Sequence, residues 1–244
     1  MQDILFTSHS AIPSYPPNIN IYPDFYKCKE YTFILNPGDM LYIPAGWFHW
    51  VFSYPDQDKQ NIAISYAVSN FDGCIYNEFY YKKPYKFALN KNEHDFFNYN
   101  FNTFKENTTK KINVIKSTKN ILIPVNKHTL KNKLSYQSLT FSEIENIISQ
   151  DTHNIYIGQY NTELQTQWPK PPECLLRGFP TSKFTCYNWI SLFKTNIEYI
   201  ESGLHYDITH GILIQIKGRK LVRLFRPQDY NNLYVQPMYK QKLE

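Results

Sequence analysis

His205 and Asp207 stand two residues apart in the stretch Ser202-Gly-Leu-His-Tyr-Asp207. In an extended strand, residues two apart point to the same face and come close enough to share one ion. An imidazole beside a carboxylate supplies two of the three ligands of a facial site for non-heme Fe(II) and leaves coordination positions open. The plain alternative is a polar pair at a strand end, and a tripeptide alone does not separate the two readings. A candidate third ligand is His49, which lies among Trp47, Phe48, Trp50 and Val51. A histidine in such company is a hydrogen-bonded core residue unless two more ligands converge on it, and His205 and Asp207 are the pair that would.

The elements that must position these residues are strands. After Asp207, the apolar, β-branched run Ile212 to Ile216, the turn Lys217-Gly218-Arg219 and the return Leu221 to Phe225 predict a hairpin. Alternation puts Lys220, Val222 and Leu224 on one face, and a lysine on an otherwise apolar face calls for an anion such as a substrate carboxylate. Around His49, a strand from Tyr31, a turn at Asn36-Pro37-Gly38-Asp39, a second strand and a turn at Pro44-Ala45-Gly46 lead into a third strand. Asn61 to Val68 is a further strand, with Ile62, Ile64 and Tyr66 alternating against Ala63, Ser65 and Ala67. Thr140-x-x-Glu143 is a capping box, and Phe141, Ile144, Ile147 and Ile148 continue it at helical spacing to about Ser149. Ile121 to Val125, Ile155 to Tyr160 and Tyr187 to Phe193 read as strands, and Trp168 to Pro180 as a proline-rich loop. Lys105 to Asn120 reads as a linker or exposed loop, and the Tyr and Phe crowded into Tyr76 to Phe104 as core packing rather than a base-stacking platform.

Composition narrows the function classes. A chain of 244 residues with 21 Tyr and 17 Phe can bury a substantial core. The net charge of +5 permits a nucleic-acid partner without arguing for one, and no DNA-binding motif is seen. Cys28, Cys74, Cys174 and Cys186 form no C-x-x-C pair, which speaks against a zinc knuckle or a thioredoxin motif. The longest apolar stretch, Met40 to Phe52, is interrupted by Pro44 and His49 and is too short to span a bilayer. The expectation is a soluble, intracellular protein, cytoplasmic or nuclear. No phosphate-binding glycine loop and no nucleophile–base grouping appears. His9, His94, His128 and His153 read as surface residues, and His210 as a neighbour of the site by proximity alone.

Two longer segments carry a resemblance. Ser202-Gly-Leu-His205-Tyr-Asp207, with Gln215-Ile-Lys-Gly-Arg-Lys220, Leu224-Phe225-x-Pro227 and Leu233-Tyr234, resembles the first half of the JmjC-type cupin oxygenase domain. Leu35-Asn-Pro-Gly-Asp-Met-Leu-Tyr-Ile-Pro-Ala-Gly-Trp-Phe-His49 resembles its second half. The motifs are most similar to those of the small hydroxylases of the family, which act on a tRNA base or on protein side chains. The resemblance implies a mainly β fold, a double-stranded β-helix (jelly roll) with a few peripheral helices. It implies Fe(II) held by His205, Asp207 and His49, and 2-oxoglutarate with its distal carboxylate on Lys220, helped by Ser202 and Tyr156. The implied reaction couples decarboxylation of 2-oxoglutarate to hydroxylation of a C–H bond on a macromolecular substrate, a protein side chain or an RNA base; oligomerisation is left open.

The two halves stand in reversed order. One circularly permuted domain over 1–244 accounts for this, with the His49 half at 1–72, a joining segment at 73–120 and the His205 and Asp207 half at 121–244. The rival is a fragment of tandem domains, each lacking half its site. Gly211 and Ser65 stand where close relatives carry Asn near the metal and the co-substrate. Two other functions stay open: a catalytically inactive cupin-like binding or structural module, and a metal-dependent isomerase of the broader cupin kind.

Overall fold

The computed structural model describes residues 8–69, 83–90, 95–106, 111–118, 135–158 and 183–235. Its strands, in chain order, are β1 (Glu30–Leu35), β2 (Asp39–Ile43), β3 (Phe48–Tyr54), β4 (Gln60–Ser69), β5 (Tyr85–Ala88), β6 (Ile112–Ser117), β7 (Ser135–Leu139), β8 (Asn154–Ile157), β9 (Lys183–Leu192), β10 (Ile200–Tyr206), β11 (His210–Lys217) and β12 (Arg219–Phe225). Among the described residues two α-helices, α1 (Phe101–Glu106) and α2 (Phe141–Ser149), accompany them. The strands form a four-stranded sheet, ordered β1-β12-β3-β10, and an eight-stranded sheet, ordered β5-β2-β11-β4-β9-β8-β6-β7. Every neighbouring pair is antiparallel. The fold is the mainly β jelly roll expected from the sequence.

Consecutive strands alternate between the sheets: β1 to β4 cross three times between small and large, and β9 to β12 do the same. This corrects the hairpin expected over Ile212 to Phe225. β11 pairs with β2 and β4, whereas β12 pairs with β1 and β3, so Gly218 is a corner between sheets rather than a hairpin turn. The corner demands glycine. Gly218 has φ +69°, and a Cβ there would lie 2.5 Å from the Tyr54 carbonyl oxygen and 2.9 Å from that of Gln60. Gly218→Ala is therefore expected to cost ~2–4 kcal/mol, combining left-handed strain with displaced backbone, read as a lowered urea midpoint at unchanged m-value.

Alternation assigns each face. Leu35, Leu41, Ile43, Trp47, Ala63, Leu213, Val222 and Leu224 pack between the sheets. The opposite face of the large sheet is apolar as well, because Ile62, Ile64, Tyr66, Ile212 and Ile214 lie beneath Phe101 and Phe104 of α1 and Phe141 and Ile144 of α2. α2 begins where the capping box places it: the Thr140 hydroxyl accepts from the Glu143 N–H at 3.2 Å, and the Thr140 N–H donates to the Glu143 carboxylate at 2.7 Å. The outer face of the small sheet is covered by Ile12, Phe25 and Leu233, packed on Phe48, Trp50, Phe52, Leu204 and Phe225.

The structure changes the reading of Lys105 to Asn120. Residues 112–117 form β6 inside the large sheet, with Ile112, Val114 and Ser117 buried. Of the described aromatics in Tyr76 to Phe104, Phe101 and Phe104 are buried core residues and Phe87, Phe97 and Tyr99 pack against that core, as expected, whereas Tyr85 is 63% exposed. Of the strand expected at Ile155 to Tyr160, Ile155 to Ile157 lie in β8, and its last two residues are outside the described ones. The strand expected at Ile121 to Val125, the loop at Trp168 to Pro180, His94 and His128 lie outside the described residues. Among the described residues, no helix is long and apolar enough to cross a membrane.

Candidate metal centre

β3 and β10 are neighbours in the small sheet, and their register sets His205 directly opposite His49 after an irregularity between Ser202 and His205. The corner at Pro44 to Trp47 delivers His49 to the start of β3, and the Gly46 N–H donates to the Asp207 carbonyl at 2.8 Å. That bond ties the two motif segments together. The His49 Nδ1 lies 3.1 Å from the Trp47 carbonyl oxygen, and the His205 Nδ1 lies 2.7 Å from that of Gly203. A carbonyl can only accept, so in both rings Nδ1 carries the proton and Nε2 offers a lone pair. The His49 Nε2 is 3.7 Å from the Asp207 Oδ2. One donor atom from each of His49, His205 and Asp207 lies within 4.8 Å of the others, in a single chain.

These donors fit a divalent cation. Two donors each about 2 Å from one ion are at most about 4 Å apart; the His49 and Asp207 atoms already satisfy this, and the Asp207 side chain, 61% exposed, has room to adjust. Burial and the neighbouring His49 hold His205 well below the usual imidazole range, which keeps it neutral and ready to ligate.

The same cavity extends inward from the three donors, with about 860 Å3 of empty space including its open mouth. Its walls include Lys220, Ser53, Ser202 and Tyr156, all three expected co-substrate residues among them. Lys220 is 3% exposed and donates to the Ser53 hydroxyl at 2.6 Å. Burial lowers its amine to about 7. Among the described residues no carboxylate pairs with it, so the ammonium form has no counter-ion from them at this end of the cavity. Burial pushes the Tyr156 phenol up. The Ser202 hydroxyl donates to the Val51 carbonyl at 3.2 Å and would have to turn to reach an anion. Ser65 accepts from the Trp189 indole N–H at 3.0 Å, and a Cβ on Gly211 would meet nothing closer than Ile43 at 3.9 Å, so the wall there is open.

His210 is adjacent without taking part: its Nδ1 lies 2.6 Å from the Tyr42 hydroxyl, and it does not line the cavity. His9, expected on the surface, is instead partly buried with its ring stacked on His205. His153 is also partly buried. Sequence reasoning missed Ser53 and Trp189 as well. Ser53 was within reach, since alternation from His49 puts Val51 and Ser53 on the same face.

The family model of the cupin-like domain matches residues 5–85 and 67–244. The chain belongs to the cupin-like domain family. Over 240 residues this cupin-like chain is 27% identical to the putative JmjC domain-containing protein L887 of Acanthamoeba polyphaga mimivirus, a match covering 90% of the chain and 37% of that relative. Over 33 residues it is 54% identical to tRNA wybutosine-synthesizing protein 5 of Danio rerio, covering 14% of the chain and 10% of that protein. Over 31 residues it is 58% identical to JmjC domain-containing protein D of Dictyostelium discoideum, covering 13% and 7%. The chain thus spans well under half the length of these relatives. No solved structure matches significantly.

Proposed function

We propose that the chain is an Fe(II)- and 2-oxoglutarate-dependent hydroxylase acting on a protein side chain or an RNA base. The observation that carries this reading is one cavity holding three convergent ligands, His49, His205 and Asp207, together with the buried, carboxylate-free Lys220. Bound Fe(II), with 2-oxoglutarate as the co-substrate that is oxidised and decarboxylated and O2 as the oxidant, would supply the chemistry that hydroxylates a C–H bond. The chain's own residues do the rest. The Trp47 and Gly203 carbonyls orient the two imidazoles through their Nδ1 protons. Lys220, bonded to Ser53, receives the distal carboxylate of the co-substrate, with Tyr156 in the same cavity, and Ile43, Val51 and Leu213 give its walls an apolar part. The exposed side of Asp207 is where a macromolecule would approach.

The order of the halves fits a circular permutation within the family. The Ala11 N–H donates to the Tyr234 carbonyl at 2.7 Å, and Ser10 bridges Val235, so residues 10 and 11 lie against 234 and 235, a closeness that supports this reading.

Anaerobic titration with Fe(II) and 2-oxoglutarate tests the reading. The expected result is a visible metal-to-ligand charge-transfer band, absent in His49→Ala and weakened in Lys220→Ala. Its absence from the folded, unaltered chain would favour a cupin-like binding module that no longer turns over. The Ser202 hydroxyl bonded to Val51, and the lack of amides at Gly211 and Ser65, are the observations behind that second reading.

A further inference from the structure

The geometry points to His9 as a positioning residue of the metal centre, acting through His205. The inference rests on the proposed metal site and adds a residue that the ligand set does not include. β10 is the edge strand of the small sheet. The segment Ser8 to Ser10 extends that edge: the Tyr206 N–H donates to the Ser8 carbonyl at 2.9 Å, the Ser10 N–H donates to the Leu204 carbonyl at 2.9 Å, and His9 bridges His205. Backbone pairing therefore sets the two side chains across from one another. Their rings stack with centroids 5.2 Å apart and planes 15° apart. His205 also meets the His49 ring at 4.1 Å and 60°.

The segment is anchored on its far side as well. The Ser10 hydroxyl donates to the Leu233 carbonyl at 2.6 Å and accepts from the Ile12 N–H at 3.1 Å, and Ile12 is fully buried. His9 is thus a fixed wall rather than the end of a loose tail.

The Gly203 carbonyl fixes which nitrogen of His205 is protonated and anchors one edge of the ring. It leaves the ring free to tilt about that bond. A stacked plane removes this freedom, because the contact is kept only while His205 stays in its ligand orientation. Supporting groups of this kind tune metal affinity without touching the ion.

Co(II) serves as the probe, its visible spectrum reporting ligand geometry, with the whole chain, His9→Ala and His9→Phe compared. Alanine is expected to weaken Co(II) binding roughly two- to tenfold, the range an aromatic pair is worth, and to alter the band shape. Phenylalanine, which keeps the stack and loses the nitrogens, is expected to stay within about twofold of the unaltered chain on the same grounds. Unchanged affinity and spectrum in the alanine variant would overturn the inference. So would a folded phenylalanine variant as weak as alanine, since the ring nitrogens would then be what matters. Failure of the unaltered chain to bind Co(II) would instead remove the metal centre itself, and the role of His9 with it.

Discussion

Lys220→Met is expected to make the ligand-free protein more stable while removing its affinity for 2-oxoglutarate. The amine is buried without a carboxylate partner and held down to about 7 from its ordinary 10.5. That shift corresponds to a penalty on the charged form on the order of 5 kcal/mol, which methionine, of similar length and apolar, does not incur. The pH dependence has a definite sign. Between pH 7 and 10.5 the unfolded chain binds a proton at this lysine that the folded chain does not, so the stability of the unaltered protein rises across that window relative to the variant. Glu201, whose carboxyl burial raises to about 7, does its titrating below the window and does not mask the trend. Urea midpoints of both proteins at several pH values would show the difference narrowing towards pH 10. A constant difference would mean that Lys220 is not the buried cation described.

The ligand side follows from the same group. A dicarboxylate binds the ammonium form, so its affinity is expected to be flat below pH 7 and to fall by up to about tenfold per pH unit above it. Truncating one member of a buried charge pair costs about 2–5 kcal/mol, so the methionine variant should lose at least about thirtyfold in 2-oxoglutarate affinity. Calorimetry at fixed Fe(II) measures both effects. A stabilised variant that still binds 2-oxoglutarate normally would place the distal carboxylate elsewhere in the cavity.

The strands around His49 and Asp207 were legible because Pro37-Gly38, Pro44 to Gly46 and Gly218 punctuate β-branched and aromatic runs. Their pairing was not. Period-two alternation shows that Ile212 to Ile216 and Leu221 to Phe225 are strands, but a sharp turn looks alike whether the chain folds back within one sheet or crosses to another. β6 escaped because Asn113 and Lys116 break up Ile112, Val114 and Ile115, and the cluster that buries Ile112 and Val114 draws on α2 and on distant strands as well as on the nearby α1. The site divides in the same way. His205, Asp207 and Lys220 follow from local spacing, whereas the stacking of His9 on His205 depends on a long-range edge pairing that no local pattern encodes.

His49→Ala and His205→Ala are each expected to abolish Fe(II) binding, and a mixture of the two variants is expected to stay inactive in binding. Outer-shell partners alone cost about 10–100-fold in metal affinity, so loss of one of three direct ligands should exceed that. The mixture is the sharper test. Were the site built between chains, the intact His205 half of one variant could meet the intact His49 half of the other, and part of the Fe(II) signal would return. The structure argues against this. β3 and β10 are paired along their length within one chain, and the Gly46 to Asp207 bond locks the two segments where they meet. Exchanging partners would require breaking β3 away from β12 as well, which continues the same sheet from Arg219↔Tyr54 to Phe225↔Phe48. Recovery of Fe(II) binding on mixing, above that of either variant alone, would show that the ligands are shared between chains and would point to tandem or exchanged domains in place of a permuted one.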